Sequence, residues 1–232
     1  MIRALRRRTG VVSAMAGLAV VATLLAGCGN SGAAAGGTSG TAPAAATTAH
    51  DPQKEIALYT AMHDLWADHM QWTYATVKAF FHNQESVQPT LDRLLQNQKD
   101  LGAAIVPYYG KAAGDQLAGL LTTHIQQAVP VLKAAQANDK AALDKAVADW
   151  DANAKAIADF LSTANPKNWP TSATEPMLKT HIDQTTTYSV DLLKGDYAQS
   201  IKDYDVAFHH MMMLSDTLAK GIIAQFPDKF AV

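Results

Sequence analysis

The chain has 232 residues and a formal net charge of −2. A mildly acidic protein is poorly suited to bind nucleic acid or an anionic membrane surface, so these two classes of ligand are excluded. The length beyond the first fifty residues suffices for one domain with a sizeable core.

Residues 1–27 have the pattern of an export signal. Four arginines near the start precede an apolar run from Val11 to Ala26, which is too short to span a membrane comfortably. The run leads to Leu25-Ala26-Gly27-Cys28, which resembles a bacterial lipobox, where the chain is cut before a cysteine that carries the lipid. We predict a lipoprotein signal peptide over residues 1–27, a lipid on Cys28 and a location at the extracytoplasmic face of the bacterial cell membrane. The alternative is an ordinary secretory signal with an incidental cysteine.

Residues 28–50 begin with this cysteine and are otherwise almost entirely Gly, Ala, Ser and Thr. Such a stretch buries too little apolar surface to fold, so we predict a flexible tether between the lipid and a domain over residues 51–232. A lipid on Cys28, the only cysteine, removes the thiol, which excludes disulfides, thiolate metal sites and cysteine nucleophiles. Loss of the four signal arginines shifts the formal net charge from −2 to about −6.

Helix-forming residues dominate residues 51–232, and apolar residues recur every three or four positions, which predicts helices almost throughout. No segment alternates between apolar and polar residues as a strand would. Six helices are predicted. The first starts near residue 51, the last ends near residue 225, and the breaks lie at residues 84–86, 107–110, 138–139, 164–170 and 195–196.

One sequence block occurs twice, with a weaker third copy before it. Residues 121–125 (Leu-Thr-Thr-His-Ile) match residues 178–182 (Leu-Lys-Thr-His-Ile) at an offset of 57, and an offset of 55 aligns His124 with His69. A polar residue follows each histidine of the repeat by 28 or 29 positions, where an apolar one is expected: Asn97, Asn153 and His210. Because a repeat is usually one supersecondary unit that packs against its copies, we predict an all-α six-helix bundle of three repeated antiparallel helical hairpins.

Four histidines are candidate metal ligands. Helical spacing places each on an apolar stripe that faces the core of the predicted bundle: His69, His124, His181 and His210. Imidazoles from facing helices bind zinc or copper, or ligate haem iron, and haem is the less favoured cofactor here. Nearby polar residues are candidates for oxygen ligands or for hydrogen bonds that orient the imidazoles: Asn97, Asp100, Asn153 and Asp205.

The run His209-His210-Met211-Met212-Met213 also suggests copper, because thioether and imidazole groups suit the cuprous ion. On a helix these five residues point in different directions. At most two or three of them can therefore act together.

Several motifs resemble those of a bacterial family of secreted or lipid-anchored all-helical proteins. They are Leu-Trp-x-x-His-x-x-Trp-Thr at residues 65–73, Arg-Leu-Leu-x-Asn-x-x-Asp at residues 93–100, and Leu-x-x-His segments that end at His124 and His181. The resemblance implies a helical fold and the four histidines as a site, and it implies no established activity. Some members carry the labels acetylglutamate kinase or glycosyltransferase, but this chain has neither a nucleotide-binding loop nor α/β alternation.

The leading hypothesis is a lipoprotein that binds a transition metal or a metal-bearing cofactor for storage, delivery or sensing. In a second hypothesis, the chain is a structural or interaction module in which asparagine and glutamine side chains bond neutral histidines and only satisfy the core. In a third, the same histidines serve a hydrolase or transferase. No local catalytic motif supports an enzyme, so the sequence favours a non-enzymatic function.

Overall fold

The computed structural model describes residues 50–232, so the predicted signal peptide, Cys28 and the tether up to residue 49 lie outside the described residues. Within residues 50–232 there are five α-helices and two short 3-10 helices. The α-helices are α1 (Pro52–His82), α2 (Val87–Gln136), α3 (Lys140–Ala164), α4 (Thr171–Lys194) and α5 (Tyr197–Gln225). The predicted all-α class is confirmed. None of these helices is both long and apolar enough to cross a membrane.

Two of the predicted turns are fixed by side-chain caps and by left-handed backbone. The carboxylates of Asp139 and Asp196 accept hydrogen bonds from backbone amides three residues further on, at the starts of α3 and α5. Directly before them, Asn138 and Gly195 adopt positive φ angles of 54° and 76°. Asparagine and glycine tolerate this conformation best, so the sequence specifies both turns locally.

The chain reverses direction inside α2, at Gly110. This glycine has a φ of 82° and a ψ of 166°, a conformation available almost only to glycine. On either side of it, a Cβ atom built on Gly102 would lie 2.4 Å from the carbonyl oxygen of Gly114. Twelve residues of straight helix would separate these two backbones by about 18 Å, so the two arms of α2 must fold back against each other.

The predicted all-α class is therefore confirmed, whereas the structure has five α-helices among residues 50–232 and six were predicted. Helical conformation continues through Pro107 up to Gly110 and resumes directly after it, so the predicted second and third helices are joined in α2. The predicted break at residues 107–110 is reduced to this one glycine. Pro107 does not end the helix, which continues for three more residues before the chain reverses at Gly110.

The helices pack in chain order, and α5 closes the bundle by packing against α1. In addition, α4 contacts both α1 and α2 across the interior. Buried leucine, isoleucine, methionine and tryptophan side chains from all five helices form one continuous core. The crossings of α4 with α1 and α2 bring together side chains that are far apart in sequence.

The two ends of the described chain are joined. The backbone amide of Asp51 donates to the carbonyl oxygen of Phe230 at 2.6 Å, and His50 forms an isolated antiparallel bridge with Ala231. The ammonium group of Lys54 also donates to the carbonyl oxygen of Ala231, at 2.6 Å. The start of α1 and the last residues of the chain therefore lie side by side.

The connection between α3 and α4 is fixed to α5 by two hydrogen bonds. The amide of Asn165 donates to the carbonyl oxygen of Gly221 at 2.8 Å, and the indole of Trp169 donates to the carbonyl oxygen of Thr217 at 3.1 Å. A Cβ atom on Gly221 would lie 2.0 Å from Nε1 of Trp169. Glycine at this position is what allows the indole to reach the helix backbone.

Candidate functional site

Three of the four predicted histidines meet in the core. The ring of His181, from α4, lies 5.5 Å from that of His69 in α1 and 5.9 Å from that of His124 in α2, measured between ring centroids. All three side chains are buried. We call His69, His124 and His181 the three-histidine cluster. Its members come from the three helices that cross in the interior, with α4 in the middle.

Burial keeps the three imidazoles neutral. It lowers the pKa of His69 to about 3, with a further contribution from His124, and it lowers the pKa of His124 to about 4. The pKa of His181 is held well below its ordinary value, first by burial and then by repulsion from His69, His124 and His210. At neutral pH each ring therefore offers a lone pair, which is the form of histidine that binds metals.

Hydrogen bonds orient the His124 ring. Its Nδ1 lies 2.9 Å from Oδ1 of Asn153 and 3.1 Å from Nε1 of Trp150, which can only donate. The amide nitrogen of Asn153 donates to the carbonyl oxygen of Leu120 at 3.2 Å, so Oδ1 of Asn153 must face the ring and accept. Nδ1 can satisfy only one of these two partners at a time, because the indole requires a lone pair on it and the amide oxygen requires a proton.

The other two rings are less constrained. Nδ1 of His69 has only a long contact with Nε2 of Gln98, at 3.5 Å. Nδ1 of His181 is buried and finds no hydrogen-bond partner among the described residues. Buried polar atoms are nearly always paired, so an unpaired imidazole nitrogen in the centre of a cluster calls for a ligand or a bound water.

The three rings line one cavity of about 50 Å³ between α1, α2, α3 and α4. Most of its other walls are apolar, for example Val77, Leu94 and Leu132. A water molecule needs about 10–15 Å³ of such a cavity, so the space suffices for a metal ion with a few small ligands. It is far smaller than the roughly 300 Å³ at which pockets for organic ligands begin.

One hydrogen bond recurs beside each of the three histidines. The amide of Asn97 donates to the carbonyl oxygen of Leu65 at 2.9 Å, as Asn153 does to that of Leu120. Nε2 of His210 contacts the carbonyl oxygen of Met177 at 2.8 Å, and since a carbonyl only accepts, this nitrogen carries the proton. Each of these carbonyl groups belongs to the residue four positions before a histidine of the cluster.

The structure thus separates His210 from the other three predicted ligands. His210 is half-buried in α5, and its Nε2 is already used to hold α4. Asn97 and Asn153 likewise hold neighbouring helices, and Asn153 also orients a ring of the cluster. The carboxylates lie elsewhere: Asp100 accepts from Gln96 at 2.8 Å on the surface of α2, and Asp205 is exposed on α5.

Gln98 was not predicted as part of the site. It lies 29 residues after His69, the same separation that joins His124 to Asn153 and His181 to His210. The spacing of 29 residues therefore marks Gln98, which follows directly after Asn97 in the sequence. Both residues are used, Asn97 toward the backbone and Gln98 toward the imidazole.

The centroid separations in the cluster are those of imidazoles that share a metal ion, although the side chains as they stand do not form an ion site. Two imidazoles on one zinc ion, each with a Zn–N distance of about 2.0–2.1 Å, have ring centroids roughly 5–6 Å apart. The two measured separations fall in this range. Within residues 50–232, however, no three His, Cys, Asp or Glu side chains are arranged so that they could hold an ion as they stand. For all three rings to bind one ion, their side chains would have to rotate.

Comparison with known proteins gives no family: no protein-family model, no curated protein and no solved structure matches the chain.

Proposed function

We propose that the chain is an extracytoplasmic lipoprotein whose three-histidine cluster binds one transition metal ion. The observation that carries the proposal is that three neutral imidazoles line one cavity, and that Nδ1 of the central ring, His181, is buried with no partner among residues 50–232. Zinc and copper are the candidate ions, because imidazole suits both. The small cavity favours a bare ion over haem or another large cofactor.

The binding geometry follows from the ligand number. Three protein ligands leave one position of a tetrahedral ion open, and a water molecule in the cavity would fill it. Nδ1 of His124 is occupied by Asn153 and Trp150, so Nε2 would be the nitrogen of that ring that binds the ion. His69 and His181 are held weakly at Nδ1, so they can rotate without breaking a strong hydrogen bond.

Three repeated helical hairpins would explain why the three histidines meet in the interior of the domain. The first would be α1 with the first arm of α2, the second would be the other arm of α2 with α3, and the third would be α4 with α5. The recurring hydrogen bond to the carbonyl group four residues before each histidine supports this division. Three copies of one hairpin would then contribute one histidine each to a common interior.

A lipid on Cys28 would hold this domain at the outer face of the cell membrane, with residues 28–50 as the tether. The support comes from the lipobox-like sequence and from the resemblance to secreted and lipid-anchored helical proteins. Mass spectrometry of the protein extracted from membranes tests it. A diacylglycerol mass on Cys28 is expected, and release into the medium after Cys28→Ala is the second expected result.

A structural or interaction module is the alternative. It is favoured by the direction of the hydrogen bonds, since Asn97, Asn153 and His210 all donate to backbone carbonyl groups of a neighbouring helix. The present ring orientations also agree with it. In that case zinc or copper would leave the melting temperature unchanged. A metal ion that binds the folded state, at a free concentration of 100 times its Kd, would instead stabilise it by about 2.7 kcal/mol.

Calorimetric titration of the metal-free protein with zinc tests the two functions against each other. One equivalent of bound zinc is expected, and His181→Gln or His124→Gln should weaken binding at least tenfold. His209→Gln is the matched control for zinc, because this histidine is exposed on α5 and lies outside the cluster. X-ray absorption of the metal-loaded wild-type protein should show imidazole nitrogen ligands, and this measurement does not depend on the stability of any variant. Absence of binding, or equal affinity of His181→Gln and His209→Gln, would refute the proposed site.

A further inference from the structure

The run of residues 209–213 is divided by α5 between the core and the surface. Met211 is buried with 1% exposure, and His210 contacts the carbonyl oxygen of Met177, so these two are committed to packing. His209 is exposed, Met212 is half-buried, and Met213 is 56% exposed. His209 and Met213 are therefore open to solvent, and Met212 packs partly against the core while keeping part of its side chain exposed beside them.

These three side chains lie on one face of α5. Residues three and four positions apart are neighbours on a helix, with Cβ atoms about 5–6 Å apart, so His209 is beside both Met212 and Met213. Asp216 lies one turn further on, again beside both methionines. Its Oδ1 accepts a hydrogen bond at 2.7 Å from Nε2 of His63, which reaches over from α1.

The chemistry of this face differs from that of the buried cluster. Thioether sulfur is a soft ligand that selects the cuprous ion and binds zinc poorly, whereas imidazole accepts both metals. A neutral set of two thioethers and one imidazole leaves the single positive charge of Cu(I) intact, and the carboxylate of Asp216 can offset it. Elsewhere methionine fills the interior, as Met62 and Met70 do with exposures of 3% and 0%. Met213 has no such role.

We propose that His209, Met212 and Met213 bind one cuprous ion at the surface of α5, with Asp216 beside it as the balancing charge. The site shares no residue with the three-histidine cluster and does not rest on it. It gives the protein a place where copper in its reduced form can be taken up from solution.

Competition for Cu(I) with a chromogenic chelator, under reducing and oxygen-free conditions, tests this site in the purified protein. The wild type should withhold one Cu(I) ion at this surface, in addition to any ion that the three-histidine cluster binds, and Met212→Leu/Met213→Leu should weaken the affinity for the surface ion at least tenfold. Leucine keeps the size and removes the sulfur, so folding should be unaffected. His181→Gln is the control that should retain the ion at this surface.

X-ray absorption at the copper edge distinguishes the surface site from the buried one. No methionine lines the buried cavity, so sulfur scattering from bound Cu(I) would report only the α5 face. Sulfur ligands in the wild type that disappear in the double methionine variant are expected. Copper bound by nitrogen alone, or an affinity that the two leucines leave unchanged, would overturn the proposal.

Discussion

Acidification from pH 8 to pH 5 should remove a large part of the free energy of unfolding. The three-histidine cluster is neutral in the folded protein, while the same residues in the unfolded chain take up protons below their ordinary pKa of 6.5. A group whose pKa is lowered by folding binds more protons in the unfolded state, so stability falls as the pH falls. The stability is complete above about pH 6.5 and is lost between pH 6.5 and the folded pKa values of about 3 for His69 and about 4 for His124.

The size of the effect follows from the pKa difference. At pH 5 the pH lies about 1.5 units below the pKa of an unfolded histidine. Protonation therefore stabilises the unfolded state by about 2 kcal/mol per residue, at about 1.36 kcal/mol per unit. His69 and His124 together therefore reduce the free energy of unfolding by about 4 kcal/mol, and His181 acts in the same direction. Domains of this size are stable by only about 5–15 kcal/mol, so the loss is large.

Urea unfolding followed by far-UV circular dichroism at pH 8, 7, 6 and 5 measures this loss. His69→Gln removes one titrating group without adding a charge, and the difference in unfolding free energy between pH 8 and pH 5 should shrink by about 2 kcal/mol. His209→Gln is the matched control that should leave the difference unchanged, because this histidine is exposed on α5 and lies outside the cluster. A wild-type change below about 1 kcal/mol, or equal pH dependence of the two variants, would refute the reasoning from neutral buried imidazoles.

Three further changes test the packing around the site by their melting curves. Gly221→Ala should destabilise the fold by about 1–3 kcal/mol, because the new Cβ would lie 2.0 Å from Nε1 of Trp169; an unchanged melting temperature would contradict this contact. Gly110→Ala should cost about 1–3 kcal/mol through its backbone conformation alone, whereas Gly119→Ala, in open helix, should be neutral or stabilising, and the reverse order would contradict the turn in α2. Asn153→Ala should cost about 1–3 kcal/mol by removing the two side-chain hydrogen bonds to Leu120 and His124, and a smaller loss would show that water replaces the amide.

The sequence was sufficient for the features that depend on local chemistry. Apolar spacing predicted the helices, and Asn138 and Gly195 marked turns because few other residues adopt a positive φ angle. The break near residues 107–110 was placed correctly but interpreted too widely, since the helix continues through Pro107 and the non-helical backbone is confined to Gly110, where Gly102 and Gly114 on the two arms come into contact. The positions of the glycines in the sequence do not show that Gly102 and Gly114 contact each other.

The sequence predicted which three histidines form the cluster. It did not predict the position of His210, the orientation of the rings or the volume of the cavity. The repeat aligned His69, His124 and His181, and equivalent positions of packed copies meet inside a bundle. The different placement of His210 could not be foreseen, because it depends on which carbonyl group of α4 lies within reach of α5. Ring orientation and cavity volume likewise arise from packing over the whole core, which no local pattern encodes.

The hydrogen bond between Asp51 and Phe230 makes the described chain a nearly closed loop. A short linker between residues 50 and 232 would complete it, and new ends could then be opened at the turn formed by Gly195 and Asp196. Such a circularly permuted protein would keep every helix while moving the point of attachment to the opposite end of a hairpin. In the natural order, any group joined at residue 50 and a reporter fused at Val232 would emerge from the same pole, so the rest of the bundle is left free to face away from both.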